Sequence, residues 1–404
     1  MSYEQIEQND GNHSTRKFLR VSFLLLNTLT WLYMVRGISS RVLELQTVTI
    51  INTFYFGVIA SIFIGTILSD KIRRFHLIFA WILFGTFVSF LPLLWTGDSI
   101  IMQLVINFTL GFSFGLGIPS CLASFAESTA FQNRGRTGGL IFLLSTLCAP
   151  PLLILLKSDI LIVCVASFFW RITSFWALPA FKFIESHGKK TVSFLLVLRT
   201  RSFLLYFVPL LMFCFIDSFE KAYFESFFEA EFFEFNRVIE PIFGAVFALV
   251  GGLFADRIGR KRVIIYGFVS LGIAYAVIGL APLWIGSWYF YSIVDGIAWG
   301  IFYVMFVLVL WGDMAHSNHR KEKYYAIGGI PFFLSEFIVT FFIPQLKTVP
   351  KESVFASFSL AAFFLFLAVI PLMFAPETLP EKKIKERELK KYIEKAKKIR
   401  EKYG

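Results

Sequence analysis

Charged residues are scarce in this sequence of 404 residues: Lys, Arg, Asp and Glu together make up 17% of it, whereas 56% is apolar. A soluble domain of this length could not keep 51 phenylalanines away from water. Cysteine is rarer still, and the four cysteines, at positions 121, 148, 164 and 214, lie in apolar runs without metal-binding spacing. The composition therefore argues against a soluble globular protein and indicates no disulfide framework.

Catalytic motifs are missing as well. The five histidines, at positions 13, 76, 187, 316 and 319, include no pair four residues apart, the spacing that places two imidazoles on one helix face around a metal. The sequence contains no G-x-x-x-x-G-K-[ST] loop, so ATP-driven transport by this chain alone is unsupported. We therefore predict no catalytic residues, no metal and no cofactor, in a protein that is not an enzyme.

Long apolar runs are what the sequence does contain. Runs of about 20 apolar residues recur, the length at which an α-helix crosses a hydrocarbon core about 30 Å thick. Strict apolar–polar alternation is absent and lipid leaves no backbone group unpaired, so these runs must be helical. We predict spans near 17–36, 47–69, 75–95, 99–126, 138–158, 159–181, 202–223, 237–255, 262–284, 286–312, 324–346 and 352–375. The predicted fold class is an all-α polytopic membrane protein with twelve transmembrane helices in two six-helix pseudo-symmetric halves.

The basic residues are concentrated on one side of the predicted membrane. Of the 39 Lys and Arg residues, 31 fall in the leader, the hairpins after spans two, four, eight and ten, the middle loop and the tail. Seven fall on the opposite side, and Arg171 lies within a span. Basic loops remain cytoplasmic, so we predict a plasma-membrane protein with both termini cytoplasmic and no cleavable signal peptide. The net charge of +11 is then a topology signal, and no nucleic-acid partner is predicted.

Two motifs occur twice, 186 residues apart. The first is a hairpin that contains a glycine, an acidic residue five positions later and then several basic residues. It occurs at 65–74 and again at 251–262. The second is an acidic residue 57 positions after the hairpin acid, with an arginine seven positions further on. The copies match Asp70 with Asp256, Glu127 with Asp313 and Arg134 with Arg320. Two motifs in one register indicate an internal duplication.

These residues resemble the major facilitator superfamily of secondary transporters, whose hairpin after the second helix reads G-x-x-x-D-R/K-x-G-R-K/R and recurs after the eighth. In the first copy Arg73 stands where that pattern has glycine. Other residues resemble signatures of the sugar-porter branch: Gly111, Gly115, Gly117, Glu127, Arg134-Gly135-Arg136, Ile184-Glu185-Ser186 and Pro376-Glu377-Thr378. The three glycines lie inside a span, where we expect close helix packing and not a phosphate-binding loop.

The resemblance implies that the repeated charges form a cytoplasmic latch that closes one end of the bundle. One cluster of the latch would contain Asp70, Arg74, Glu127 and Arg134, and its partner would contain Asp256, Arg257, Arg260, Asp313 and Arg320. Carboxylates near helix N-termini and arginines near C-termini also gain from the helix dipole. The alternative is that these charges only fix the topology of the hairpins, although topology alone does not require the repeated spacing of acid and base.

Ionisable residues inside the predicted spans are candidates for a substrate or proton site, because a charge at bilayer depth needs a partner or a water-filled cavity. The candidates are Glu336, Asp217, Arg171, Asp295 and Arg36. Glu336 is the first choice as the proton acceptor, since its run is otherwise apolar and burial disfavours the charged form. Asp217 is second, because Lys221 one turn away could keep it ionised. A static ion pair between the halves is the alternative.

The sequence predicts proton-coupled uptake of a small polar solute, a sugar or a similar metabolite, by a protein that works as a monomer in the bilayer. Efflux of amphipathic compounds by proton antiport, organic-anion transport, and a membrane receptor or scaffold that does not transport are the alternatives. The sugar assignment departs from the family at two places. The glutamine pair usual on helix seven is replaced by 215–221, and Arg36 occupies the place of an acidic residue on helix one.

Four segments follow from these patterns: an N-terminal half at 1–185, a cytoplasmic linker at 186–201, a C-terminal half at 202–380 and a basic tail at 381–404. The tail has apolar residues at helical spacing and is predicted to be an amphipathic helix, lying on anionic headgroups or simply solvated. The Phe- and Glu-rich segment at 224–235 is predicted to be an outer interfacial loop.

Overall fold

The computed structural model describes residues 3–42, 48–94, 99–148, 158–182, 191–227, 230–315, 320–346 and 350–379, and positions 151, 154 and 155. Within these residues every regular element is a helix and none is a strand. The predicted tail at 381–404 and the beginning of the predicted linker lie outside the described residues.

The helices fall into two sets along the chain. The N-terminal set comprises α1 (Tyr3–Val42), α2 (Val48–Lys71), α3 (Arg74–Val88), α4 (Ile100–Gly115), α5 (Ile118–Ser128), α6 (Arg134–Leu147) and α7 (Ile160–Thr173), with 3-10 turns at Leu91–Leu94, Phe131–Asn133 and Ser174–Phe181. The short helix α8 (Phe194–Arg199) follows. The C-terminal set comprises α9 (Arg201–Phe227), α10 (Ala230–Ile258), α11 (Arg260–Leu280), α12 (Ile285–Phe302), α13 (Leu310–Met314), α14 (Glu322–Thr340), α15 (Ile343–Leu346) and α16 (Lys351–Phe374), with a π-helical turn at Tyr303–Val309.

Ten helical segments of the described chain are long and apolar enough to cross a membrane. Two further helices, α6 and α14, occupy the positions of the predicted fifth and eleventh spans. The described part of α6 has only 14 residues, and α14 carries the charges of Glu322, Lys323 and Glu336, which lower its mean hydropathy. The structure therefore confirms the predicted all-α, polytopic membrane fold.

Three boundaries differ from the prediction. The polar leader is not a separate segment, because α1 begins at Tyr3 and continues into the first span. The segment at 224–235 is largely helical, since α9 extends to Phe227 and α10 begins at Ala230. Its Phe232 is 6% exposed and lies with its ring 5.6 Å from that of Tyr289, so packing against α12 extends these helices beyond the apolar core of the span. The predicted fourth span is broken at 116–117 between α4 and α5.

The connections α2–α3, α5–α6, α10–α11 and α13–α14 all lie at one end of the bundle, which we call the hairpin end. The tightest is the second copy of the repeated hairpin, where a single residue, Gly259, separates α10 from α11. Gly259 has a φ of +109°, a conformation that L side chains rarely adopt. At the equivalent place in the first copy, Arg73 has a φ of −58°, so that hairpin turns without a left-handed residue.

Close backbone contacts hold the helices together. Gly111 faces the carbonyl of Phe54 on α2, and Gly117 faces the ring of Trp81 on α3, with no room for a Cβ atom at either position. This confirms the predicted packing role of the glycine run. Two helix pairs, α6 with α10 and α2 with α14, join the N-terminal set to the C-terminal set.

Candidate functional site

The repeated charges pair in the same way in both sets of helices. Within the N-terminal set, Arg74 donates a 2.7 Å hydrogen bond to Glu127. Within the C-terminal set, Arg260 donates a 3.2 Å hydrogen bond to Asp313. The partners are 53 residues apart in both pairs, so the internal repeat read from the sequence reproduces an ion pair in three dimensions.

Other pairs cross from one set of helices to the other. Asp313 also accepts a hydrogen bond from Arg134 on α6, and neither side chain is more than 1% exposed. On the other flank, Asp70 forms ion pairs with Lys323 at 2.6 Å and with Arg320 at 3.8 Å. Charges from each predicted cluster are therefore bonded directly to charges of the other one.

Asp256 contributes a contact between the sets that involves backbone groups. Its two carboxylate oxygens accept hydrogen bonds from the backbone N–H groups of Gly135, at 3.0 Å, and Arg136, at 2.8 Å. These N–H groups belong to the first turn of α6, where backbone donors have no partner within the helix and the helix dipole favours a negative charge. The carboxylate of one set thus caps a helix of the other.

The structure brings eight of the nine predicted latch residues into this hairpin-end network. Arg257 is the exception, because it is exposed and takes part in none of the described hydrogen bonds or ion pairs. Sequence reasoning missed Glu322, which accepts a 2.5 Å hydrogen bond from Arg74, and Lys323. It also missed the role of Glu377, which accepts hydrogen bonds from the backbone N–H groups of Arg260 and Lys261 and so caps α11. The three charged residues directly after Arg320, Lys321-Glu322-Lys323, were the available signal for Glu322 and Lys323.

The centre of the network is buried, whereas its Asp70 flank is partly exposed: the side chains of Asp70, Arg320 and Lys323 are 23%, 19% and 11% exposed. Arg134 and Asp313, which form an ion pair between the two sets, have side chains that are 1% and 0% exposed. Removing one member of a buried ion pair costs about 3–5 kcal/mol, because the other charge is left without compensation. The buried pair between the sets therefore cannot separate unless new partners or water compensate both of its charges.

A second group of charged residues lies toward the opposite end of the bundle. Arg36 on α1 donates a 3.5 Å hydrogen bond to the hydroxyl of Tyr55 on α2, and that hydroxyl donates a 3.4 Å hydrogen bond to Glu336 on α14. Arg36 is exposed and Glu336 is half-buried. The arginine that faces the predicted proton acceptor is therefore Arg36, through a tyrosine that sequence reasoning did not single out.

Asp217 forms the neighbouring part of the same group. It accepts a 2.6 Å hydrogen bond from Lys221 and a 2.8 Å hydrogen bond from the indole N–H of Trp299. The ammonium of Lys221 also lies 4.7 Å from the centre of the Trp299 ring. Asp217 is buried whereas the side chain of Lys221 is 45% exposed, so the carboxylate of this pair lies inside the protein and the lysine lies at its surface. We call the six side chains Arg36, Tyr55, Asp217, Lys221, Trp299 and Glu336 the open-end cluster.

The structure does not bring Arg171 and Asp295 into the open-end cluster. Arg171 is fully buried within the N-terminal set, where its guanidinium lies between the rings of Trp31 and Trp81, 4.6 and 4.3 Å from their centres. Arg171 therefore faces none of the carboxylates of the open-end cluster, and cation–π contacts hold it within its own helices. Asp295 is buried inside the C-terminal set, and its Oδ1 has no hydrogen-bond partner among the described residues.

Aromatic rings lie beside the open-end cluster. The ring of Tyr303 stacks on Phe332 with centroids 5.9 Å apart and on Phe142 with centroids 4.8 Å apart. It also lies 4.9 Å from the ring of Trp299. Since Phe142 belongs to the N-terminal set and Tyr303 to the C-terminal set, the stack spans the line along which the two sets meet.

The geometry combines a closed end with an open, charged cluster. Arg36 and Lys221, one from each set of helices, are exposed in the open-end cluster, beside its carboxylates and the aromatic rings.

Comparison with known proteins agrees with this architecture. Residues 235–390 match the family model described as sugar (and other) transporter. No curated protein sequence matches the chain significantly.

Solved structures match over nearly the whole chain. The xylose:proton symporter XylE of the major facilitator superfamily, bound to 6-bromo-6-deoxy-D-glucose, is 17% identical with a TM-score of 0.66, and the match covers 91% of this chain and 97% of XylE. The fucose:proton symporter FucP of E. coli is 11% identical with a TM-score of 0.68, covering 89% and 98% of the two chains. A bacterial homologue of the iron transporter ferroportin in its outward-facing state is 13% identical with a TM-score of 0.66, covering 89% and 98%.

Proposed function

We propose, from the premise that this chain has the major facilitator fold and resembles its sugar-porter branch, that it is a secondary transporter for a small polar solute, a sugar or a similar metabolite. The helices of each set would move as a unit, so that the site between them opens to one side of the membrane at a time. The predicted halves, at 1–185 and 202–380, are the units that would move, and the proposal needs only one copy of the chain.

One observation carries the proposal: the two sets of helices are bonded to each other at the hairpin end while the open-end cluster stays accessible. A receptor or scaffold has no need of a closure made from separable ion pairs. A transporter does, because the closure must be stable in one state and broken in the other. The repeated Arg–acid pair would remain within each set, whereas the pairs between the sets would separate.

Proton coupling is the proposed source of energy. Glu336 and Asp217 are the carboxylates of the open-end cluster, and each has a cation within reach: Arg36 through Tyr55, and Lys221 directly. Protonation of Glu336 would remove the negative charge that faces Arg36 across Tyr55 and leave Arg36 to bind the solute, which couples the proton to binding. Asp217 is held by two donors and is better placed to stay ionised.

The excess of basic residues at the hairpin end supports an orientation with that end in the cytoplasm. In this orientation the structure is closed to the cytoplasm and open to the outside of the plasma membrane. Uptake would then begin in the state described here.

Organic-anion transport is the second candidate, and a specific observation favours it. Arg36 and Lys221 are both exposed, and they come from opposite sets of helices. A carboxylate or phosphate between them would bridge the two sets. Efflux of amphipathic compounds by proton antiport would use the aromatic stack instead of the two cations.

A solute screen in proteoliposomes with an imposed pH gradient separates these candidates. We expect a neutral sugar or related polyol to accumulate against its gradient when the outside is acidic, and not to accumulate in liposomes without protein. Accumulation of anions alone would replace the sugar assignment with organic-anion transport. Expulsion of amphipathic cations would indicate the antiporter, and binding without movement of any solute would indicate the receptor.

A further inference from the structure

A cavity of about 580 Å³ opens at the hairpin end, away from the open-end cluster. Its walls come from the start of the membrane-spanning part of α1, the turn between α5 and α6, the first part of α6, and α10 of the other set. Polar groups dominate one part of the wall: Ser14, Thr15, Ser128, Thr129, Asn133, Arg136 and Thr137. The proposed transport cycle uses neither this cavity nor the side chain of Arg136.

The wall changes from polar to apolar along α1 and α6, whereas α10 contributes only apolar residues. On α1, Ser14 is followed one turn later by Phe18. On α6, Arg136 is followed one turn later by Leu140, which is 46% exposed. On α10, Leu253 and Leu249 face the same space from the opposite set. Because the membrane-spanning part of α1 begins at Ser14, and α6 begins and α10 ends at the hairpin end, the polar part lies at the depth of lipid headgroups and the apolar part lies deeper in the membrane.

We infer that this cavity binds an anionic glycerophospholipid of the leaflet at the hairpin end. The Arg136 guanidinium and the hydroxyl groups can donate hydrogen bonds to a phosphate, while Phe18, Leu140 and Leu249 can contact the acyl chains. The cavity is too polar at its outer part for acyl chains alone and too apolar at its inner part for a soluble phosphate.

The position of the site couples the lipid to the closure. The backbone N–H of Arg136 donates to Asp256, and Gly135 faces the backbone of Gly252 on α10. One wall of the cavity therefore belongs to each set, and the cavity exists in this form only while the hairpin end is closed. A lipid that fills it favours the closed hairpin end, by an amount set by its difference in affinity for the two states.

The test is a binding titration with purified protein in detergent at 0.15 M salt. The three probes are dihexanoylphosphatidylglycerol, dihexanoylphosphatidylcholine and glycerol 3-phosphate, each below its micelle-forming concentration. We expect the phosphatidylglycerol to bind at least tenfold more tightly than the other two probes. Equal binding of glycerol 3-phosphate would show a site for a soluble phosphate, and equal binding of the phosphatidylcholine would show simple acyl-chain adsorption; either result overturns the proposal.

Variants locate the site. Arg136→Gln should weaken phosphatidylglycerol binding by about tenfold, the lower end expected for one hydrogen bond to a charged group. Ser14→Asp should weaken it similarly by repulsion, without changing the residue that borders Asp256. Arg262→Gln is the matched control, since it removes an exposed positive charge of the α10–α11 hairpin that does not line the cavity. The control should change the affinity less than twofold; a loss equal to that of Arg136→Gln would show a diffuse basic surface and would refute the assignment.

Discussion

Substitution of Asp256 tests whether the hairpin-end network controls the opening of the bundle. The carboxylate of Asp256 accepts two hydrogen bonds from backbone N–H groups in the first turn of α6, which belongs to the other set. It also forms an ion pair, at 2.9 Å, with Arg260 of its own set. In Asp256→Asn one oxygen becomes an amide that faces a backbone N–H, so one of the two bonds between the sets is lost. The bond to Arg260 is made within one set and weakens in both states.

The magnitude follows from the contact that is made in the closed state alone. A hydrogen bond to a charged group contributes about 1.5–3 kcal/mol. Since about 1.4 kcal/mol corresponds to a tenfold change in an equilibrium constant, the ratio of open to closed hairpin end should rise by roughly tenfold to a hundredfold. Transport should slow or lose its preferred facing state, while membrane insertion should remain.

The assay is a distance measurement between spin labels on exposed sites of the two sets, Lys71→Cys and Arg262→Cys, in a background without the native cysteines. Glu377→Gln is the matched control. Its carboxylate also accepts two backbone N–H groups at the start of a helix, but that helix belongs to its own set. We expect the longer distance to become populated in Asp256→Asn and not in Glu377→Gln. Equal populations in the wild type and Asp256→Asn, with unchanged transport, would refute the latch and leave the hairpin as a topology device.

Three further outcomes are expected. A cysteine introduced at Ser186 should resist a membrane-impermeant thiol reagent in intact cells and one at Ser99 should react, because basic loops remain in the cytoplasm. Glu336→Gln should abolish gradient-driven accumulation in proteoliposomes yet preserve counterflow exchange, since exchange requires no net proton movement. Gly259→Ala should lower stability in thermal unfolding by about 1–3 kcal/mol because of its backbone conformation, whereas Arg73→Ala, at the equivalent place in the first hairpin, should be nearly neutral because its φ is negative.

Each of these outcomes has a result that would contradict it. Labelling of both cysteines from outside would overturn the orientation. Accumulation that persists in Glu336→Gln would move the proton to Asp217, and its persistence in the double variant would remove proton coupling. Equal destabilisation by the two alanine substitutions would show that the left-handed conformation of Gly259 is not the cause.

The membrane fold and the repeat could be predicted from the sequence because both depend on local features. The hydrocarbon core sets the length of an apolar run, and a duplication preserves the spacing of its residues whatever the packing. The register that matched Asp70 with Asp256 also predicted which positions would be equivalent, and the ion pairs Arg74–Glu127 and Arg260–Asp313 have that equivalence.

Only the tertiary structure determined which residues the charged side chains contact. The sequence around an arginine does not show which helix its side chain will contact. Arg134 bonds to Asp313 in the other set, whereas Arg171 packs between two tryptophans of its own set. Tyr55, which joins Arg36 to Glu336, looks like any aromatic residue of an apolar span until α1, α2 and α14 are packed together. Hydrophobic length is a property of a segment, whereas an ion pair is a property of two distant segments, and only packing of the helices brings those segments together.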